Sequence, residues 1–399
     1  MAQTFDPLLM PGGRRIATAA EWVRDARPPV LDFFGRNVFG ALPPRAARTE
    51  FILGEEGDAF GGLARRRQFR IASSDAAGSH SFDVLVYIPA HAAGPVPAFV
   101  CPNFLGNHSV AADPAVVLPD CPLYRGVKPR DVPRGSRAER LPVREILAAG
   151  FAVATFCHCG VYPDYSATPG REALDGAAES VWRIFPPRRR PTPPLAISTW
   201  AWGDARVLDL LETMPEIDAR RVAVAGHSRL AFAAVIAAAF DRRFALCCAS
   251  GGGGKSLSLV PNLKFPAWFA PELRRWTSLA DSALSPMEAG SRRGALPPPP
   301  FDTASLLGCI APRALHLCTS DGDVYAPPEV QFAAVQAVAP IYRLFGASHL
   351  PPPSAMHSPQ PFLGDVSWHC KHGPHSISRE DWTAFLANAK RLFIIPSAS

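Results

Sequence analysis

Val222-Ala223-Val224-Ala225-Gly226-His227-Ser228-Arg229-Leu230-Ala231 is the stretch on which the fold turns. Small and β-branched apolar residues end in a glycine, and a serine stands two positions on. An alanine-rich segment of helical character then runs from Leu230 to Phe240. A strand that passes into a helix through so short a turn projects the serine hydroxyl above the strand's end. Small residues are needed where the two backbones approach closely. Such turns commonly carry a second glycine where this chain has Leu230, and Ala231 is the candidate to supply the small residue instead. A serine at the head of a helix also has a plainer use as its cap. The rest of the chain has to decide between the two.

Outward from the turn, short apolar runs alternate with helical patterns. Strands are expected at Phe82–Pro89, Pro97–Phe104, Phe151–Phe156, Val222–Ala225, Phe244–Ala249, Ala314–Cys318 and Ile341–Phe345. Helices are expected at Ile197–Glu212, Leu230–Phe240, Glu329–Val338 and Glu380–Phe393. Short continuous apolar strands separated by helices imply an α/β fold with a mostly parallel sheet covered on both faces. We read residues 1–399 as a single domain. Residues 1–75 form a helical and loop extension on it, with helical patterns at Ala19–Ala26 and Val30–Val38. The segment 251–300 is an insertion ending in Pro297–Pro300, and the Pro-, Asp- and Arg-rich stretch 111–140 is a long surface loop.

Composition excludes several classes. With 48% hydrophobic and 19% charged residues in 399, the chain has ample material for a core, so it is not intrinsically disordered. A net charge of +6 over this length does not imply nucleic-acid binding. No run approaches the roughly 18 apolar residues of a spanning helix, so no membrane partner is expected. Met1–Trp22 lacks the basic-then-apolar build of a secretion signal, so the expectation is either a cytoplasmic protein or one whose signal has been removed. The nine cysteines sit mostly in apolar runs and read as small buried hydrophobes. Cys157-His158-Cys159 lacks the spacing of a zinc site, and no Gly-rich phosphate loop is present, so neither metal nor cofactor is expected.

A serine hydroxyl attacks only when a base takes its proton and an anion orients that base. Both follow Ser228 in chain order. Thr319-Ser320-Asp321-Gly322-Asp323-Val324-Tyr325 places two carboxylates after a strand, and His369-Cys370-Lys371-His372-Gly373-Pro374-His375-Ser376 precedes the last helix.

Longer blocks extend the pattern. Asn103-Phe104-Leu105-Gly106-Asn107-His108-Ser109, Ala196-Ile197-Ser198-Thr199-Trp200-Ala201-Trp202-Gly203 and Gly226-His227-Ser228-Arg229 come in order, followed by Ser250-Gly251-Gly252-Gly253-Gly254. Ile310-Ala311-Pro312-Arg313, Gly373-Pro374-His375 and Asp381-Trp382 complete the series. Together they resemble the bacterial glucuronoyl esterases, carbohydrate esterase family 15 of the α/β-hydrolase fold, from about residue 30 to 393. The resemblance implies a usually secreted serine esterase acting on a carbohydrate partner, the ester between a xylan glucuronate and an alcohol. It implies Ser228 as nucleophile, His375 as base, Asp323 as acid with Asp321 second, and Arg229 with its own N–H at the oxyanion. Tyr325 stands where the family has a sugar-stacking tryptophan, and Phe232 where it has a sugar-contacting lysine. The family's alternative acid position is occupied by Ala249. Those departures keep open an acetyl-xylan-type or general carboxylesterase on the same triad, and a non-catalytic carbohydrate-binding relative.

Overall fold

In the computed structural model, which describes residues 5–166, 176–255, 257, 267–276 and 299–393, nine strands form one sheet. They are β1 (Arg48–Ala59), β2 (Ala64–Asp75), β3 (Gly78–Pro89), β4 (Val96–Asn103), β5 (Ala152–Cys157), β6 (Ile217–His227), β7 (Leu246–Ser250), β8 (Ala314–Ser320) and β9 (Val366–Lys371). Their order across the sheet is β1-β2-β3-β5-β4-β6-β7-β8-β9. The six strands from β5 to β9 in that order pair in parallel, and β1, β2 and β3 add an antiparallel edge. The chain steps outward from β4 to β5, then crosses back to lay down β6 through β9. The loops after β4 and β6 therefore diverge, leaving a crevice at the carboxyl ends of these strands.

The central strands are buried because both faces are covered. Every residue of β4, β5, β7 and β8 is buried. Helices α1 (Arg27–Asn37), α3 (Ala196–Glu212), α4 (Arg229–Phe240), α5 (Thr303–Gly308) and α6 (Pro328–Leu344) share one apolar core with one face. The short α2 (Val143–Ala148) and the final α7 (Arg379–Phe393) close the other, where Phe99, Phe151, Trp382 and Phe385 pack together. Alanines 231, 233, 234, 237, 238 and 239 keep α4 narrow enough to bury nine of its twelve residues.

Three expectations need correction. Residues 48–75 are two long strands, not part of a helical and loop extension. Their pattern is obscured because Arg66 pairs with Glu55 and Arg67 with Glu56 across the hairpin, so polar residues occupy half-buried positions. Ile341–Phe345 is no strand: α6 runs on through Pro340 to Leu344, with Ile341 and Tyr342 buried in the core. The sheet position expected for it belongs to β9, whose buried Ser367 and His369 disguise it as a polar loop. Of the 251–300 insertion, residues 256, 258–266 and 277–298 lie outside the described residues. Trp268 and Phe269 beyond the first gap are buried.

Candidate active site

Ser228 occupies the turn between β6 and α4 with φ 60° and ψ −124°, a left-handed conformation that a non-glycine residue adopts at a cost of about 1–3 kcal/mol. Two hydrogen bonds impose it: Ser228 N–H donates to the Ser250 carbonyl at 2.8 Å, and Ala231 N–H to the Ser228 carbonyl at 3.0 Å. The close crossing requires Gly226, where a Cβ would fall 2.0 Å from the Leu230 carbonyl oxygen. It also requires Gly252, whose Cβ would fall 2.6 Å from that of Ser228. Leu230 is tolerated because its side chain turns into the core. Ala231 faces Gly252, which is the small-residue contact expected of it. The Ser228 side chain caps no helix N–H.

His375 lies 2.9 Å from the Ser228 hydroxyl through Nε2 and 2.6 Å from Asp323 Oδ2 through Nδ1. A carboxylate accepts only, so Nδ1 carries the proton and Nε2 is the acceptor facing the serine. Asp323 is itself fixed by the backbone N–H groups of Tyr325 (2.9 Å) and Ala326 (2.8 Å) and by the Thr319 hydroxyl. Burial by itself would raise the Asp323 carboxyl. The hydrogen bond and charge of His375, with those two N–H groups, outweigh it and hold the carboxyl below its usual value. His227 packs against the His375 ring at 4.6 Å between centroids. Burial, and then repulsion from His375, push His227 well down, so it stays neutral beside the site.

Asp321 does not reach His375. It accepts from Gly373 N–H at 2.9 Å and contacts His372 Nδ1 at 2.7 Å, tying the β8 loop to the His375 loop. Beneath that loop lies a buried ionic clamp. Lys371 pairs with Asp381 and donates to the Ser376 carbonyl at 2.6 Å. Asp381 also accepts from Ser378 N–H (2.8 Å) and contacts His369 Nε2 (2.9 Å), which in turn meets His316. Both ends of the segment carrying His375 are thereby fixed to the start of α7. Burial opposes ionisation of Asp381, but His369 and Lys371 bring its carboxyl down to about 2. Asp381→Asn strands the Lys371 ammonium in the interior and is expected to cost about 3–5 kcal/mol. Urea unfolding monitored by circular dichroism checks this; a loss under about 1 kcal/mol would mean the clamp is not needed.

Arg229 begins α4, so its backbone N–H has no partner within the helix. Its guanidinium is seated among Trp268 (4.2 Å to the ring centroid), Tyr124 (4.5 Å) and Phe104 (5.9 Å), and pairs with buried Asp164. Ser166 Oγ at 2.9 Å and Tyr124 OH at 3.2 Å complete the seat. Asp164 also meets His158 Nε2 at 3.2 Å, while His158 Nδ1 lies 2.9 Å from the Asn103 carbonyl. Burial opposes charge on both partners. Even so, Arg229 and His158 keep Asp164 ionised, and Asp164 raises His158 to about 9. Asp164 and His158 were not singled out from sequence. The visible signal was the Cys157-His158-Cys159 run, whose histidine spends both ring nitrogens on this network.

Tyr325 is 67% exposed and stands edge-on to His375 at 5.2 Å between centroids. Phe232 packs against Phe39 and Phe269. The Asn103–Ser109 loop is held by its own bonds: Asn103 Nδ2 donates to Asn107 Oδ1 at 2.8 Å and Ser109 Oγ to the Gly106 carbonyl at 2.7 Å. A cavity of about 320 Å³ opens at Ser228 and His375, bounded by this loop, the 124–141 loop and the start of α7. A hydroxyl, an imidazole and a carboxylate in this relay can perform acyl transfer on an ester that reaches the cavity.

Comparisons with known proteins agree in kind. A family model for fungal glucuronyl esterase matches residues 179–346. A carbohydrate esterase from an unknown prokaryotic organism is 27% identical over 406 residues, covering 96% of this chain and 87% of its own. A 4-O-methyl-glucuronoyl methylesterase of Hypocrea jecorina is 29% identical over 38% of this chain and 34% of its own. The solved glucuronoyl esterase from Solibacter usitatus superposes with a TM-score of 0.83 at 27% identity over 98% of both chains. With the α/β-hydrolase sheet matched from end to end, the chain is similar over nearly its whole length to the glucuronoyl esterases of carbohydrate esterase family 15, which are carboxylic ester hydrolases.

Proposed function

We propose that this chain hydrolyses glucuronoyl esters of xylan, the substituted 4-O-methyl-glucuronates included, through an acyl-enzyme on Ser228. The observation that carries this reading is the unbroken relay from Ser228 through His375 to Asp323 in a chain similar to this family over nearly its whole length. Ser228 Oγ attacks the ester carbonyl while His375 Nε2 takes its proton. Asp323 holds the imidazole in the right tautomer and stabilises the imidazolium. The carbonyl oxygen becomes an oxyanion facing the Arg229 N–H, a contact of the kind worth about 3 kcal/mol. The Arg229 guanidinium, fixed by Asp164 and lining the same cavity, adds positive field there. Collapse expels the alcohol, which leaves with the proton from His375. Water then attacks the acyl-enzyme with His375 again as base, freeing the uronate and regenerating Ser228.

Tyr325, exposed beside His375, offers its ring as the face on which the uronate stacks. One observation favours a second, broader carboxylesterase reading: Phe232, packed into an aromatic cluster, brings no amino group to a sugar hydroxyl. Initial rates on benzyl glucuronate and on an acetylated xylo-oligosaccharide separate the two. The glucuronoyl reading expects kcat/KM at least about tenfold higher on the glucuronate ester, a difference of about 1.4 kcal/mol. A preference for the acetyl ester would replace it with the broader one.

A further inference from the structure

The cavity at Ser228 is lined by Arg125, Arg137, Arg140 and Arg229, and by no aspartate or glutamate. Among the described residues, only Arg229 has its charge offset there, by Asp164. Arg137 and Arg140 have no carboxylate partner among the described residues. The acids nearest Arg140 in the chain, Glu139 and Glu145, are both engaged by Arg379, at 3.1 and 3.2 Å. Burial, and then the charge of Arg137, disfavour the cation on Arg140, so the pair is close and uncompensated. Its backbone is nonetheless pinned: Arg140 N–H donates to the Arg137 carbonyl at 2.9 Å, and Trp382 Nε1 donates to the Arg140 carbonyl at 2.8 Å. Leu141, Ile377 and Trp382 give this end of the cavity apolar walls. Two guanidinium groups without carboxylate partners, on a pinned backbone beside apolar walls, are chemistry for a flat acid.

We propose that the Arg137–Arg140 end is a carboxylate subsite, and that the preferred ester carries an acidic group on its alcohol half. This rests on the esterase reading above. The leaving oxygen must take its proton from His375 Nε2. The cavity that holds Ser228 and His375 is lined as well by Ile377, Arg137 and Arg140, so the alcohol released at His375 shares it with the two guanidinium groups. Tyr325, on the loop after β8, does not line this cavity, which leaves its ring to the acyl sugar.

The test compares 4-carboxybenzyl and benzyl glucuronate esters with the full chain. The carboxylated ester is expected to have about tenfold higher kcat/KM at about 0.05 M salt, and the advantage shrinks at about 0.5 M. In R137Q/R140Q the ratio of the two falls to about one, with native circular dichroism as the folding control. Calorimetry on the Ser228→Ala protein gives a readout independent of turnover. There 4-(hydroxymethyl)benzoate is expected to bind about tenfold more tightly than benzyl alcohol. Tight binding with neither ester turned over keeps the subsite and sinks the esterase reading. Equal binding, or an ester ratio near one in the unaltered chain, overturns the subsite even if benzyl glucuronate is hydrolysed. A ratio that persists in R137Q/R140Q also overturns it.

Discussion

Ser228→Ala is expected to lower kcat on benzyl glucuronate by about 10⁴–10⁶-fold while the protein stays folded. The size follows from the geometry. Removing Oγ deletes the atom that would form the acyl bond, and no neighbouring group can replace it. Cys247, Cys248 and Cys318 lie in adjacent strands but are buried, and burial pushes each thiol well up. His227, the residue before Ser228, is tucked against His375 with almost no exposure. Folding should survive because the turn is imposed by backbone bonds and by Gly226 and Gly252, none of which uses the hydroxyl. Residual turnover within about tenfold of the unaltered protein would remove Ser228 from the reaction.

The second large effect is expected at Asp323. Asp323→Asn keeps the shape of the side chain but offers an amide that can donate to His375 Nδ1. The imidazole is then drawn toward the tautomer with its proton on Nε2, facing the serine it must deprotonate. A fall in kcat of about 10⁴-fold is expected, with little change in KM. Asp321→Asn is the internal control. Asp321 is exposed and ties one loop to another, so its loss should cost less than about tenfold. A larger effect at Asp321 than at Asp323 would mean that the acid is misassigned. The two carboxylates are two residues apart in one loop, and only their contacts tell them apart.

Much of this was legible in the chain, for identifiable reasons. Strands β4, β5, β7 and β8 and the second half of β6 are short continuous apolar runs because both of their faces are covered, and such runs announce themselves. The turn at Ser228 was legible because close backbone approach forces glycine and alanine at fixed places. Less legible were elements stabilised by partners distant in sequence. β1 and β2 carry charges that make sense only once Glu55 and Glu56 meet Arg66 and Arg67. β9 holds a buried histidine that is acceptable only because Asp381, twelve residues on, receives its ring nitrogen. Conversely, Ile341–Phe345 is apolar for the sake of a helix face that local pattern could not tell from a strand. At the site, residue type and order narrow the chain to Ser228, to Asp321 or Asp323 and to the histidines between 369 and 375, and the family resemblance is what selects Asp323 and His375. The seat of Arg229 could not be found this way, because Tyr124, Asp164 and Trp268 come from three separate loops.

The central claim is that His375 and Asp323 activate Ser228. Brief treatment of the full chain with a fluorophosphonate, followed by intact-mass and peptide mapping, tests it most directly. The expected result is one adduct on the peptide bearing Ser228, absent in Ser228→Ala and slowed by orders of magnitude in Asp323→Asn. No adduct, or an adduct on another residue that forms equally fast in Ser228→Ala, would contradict it.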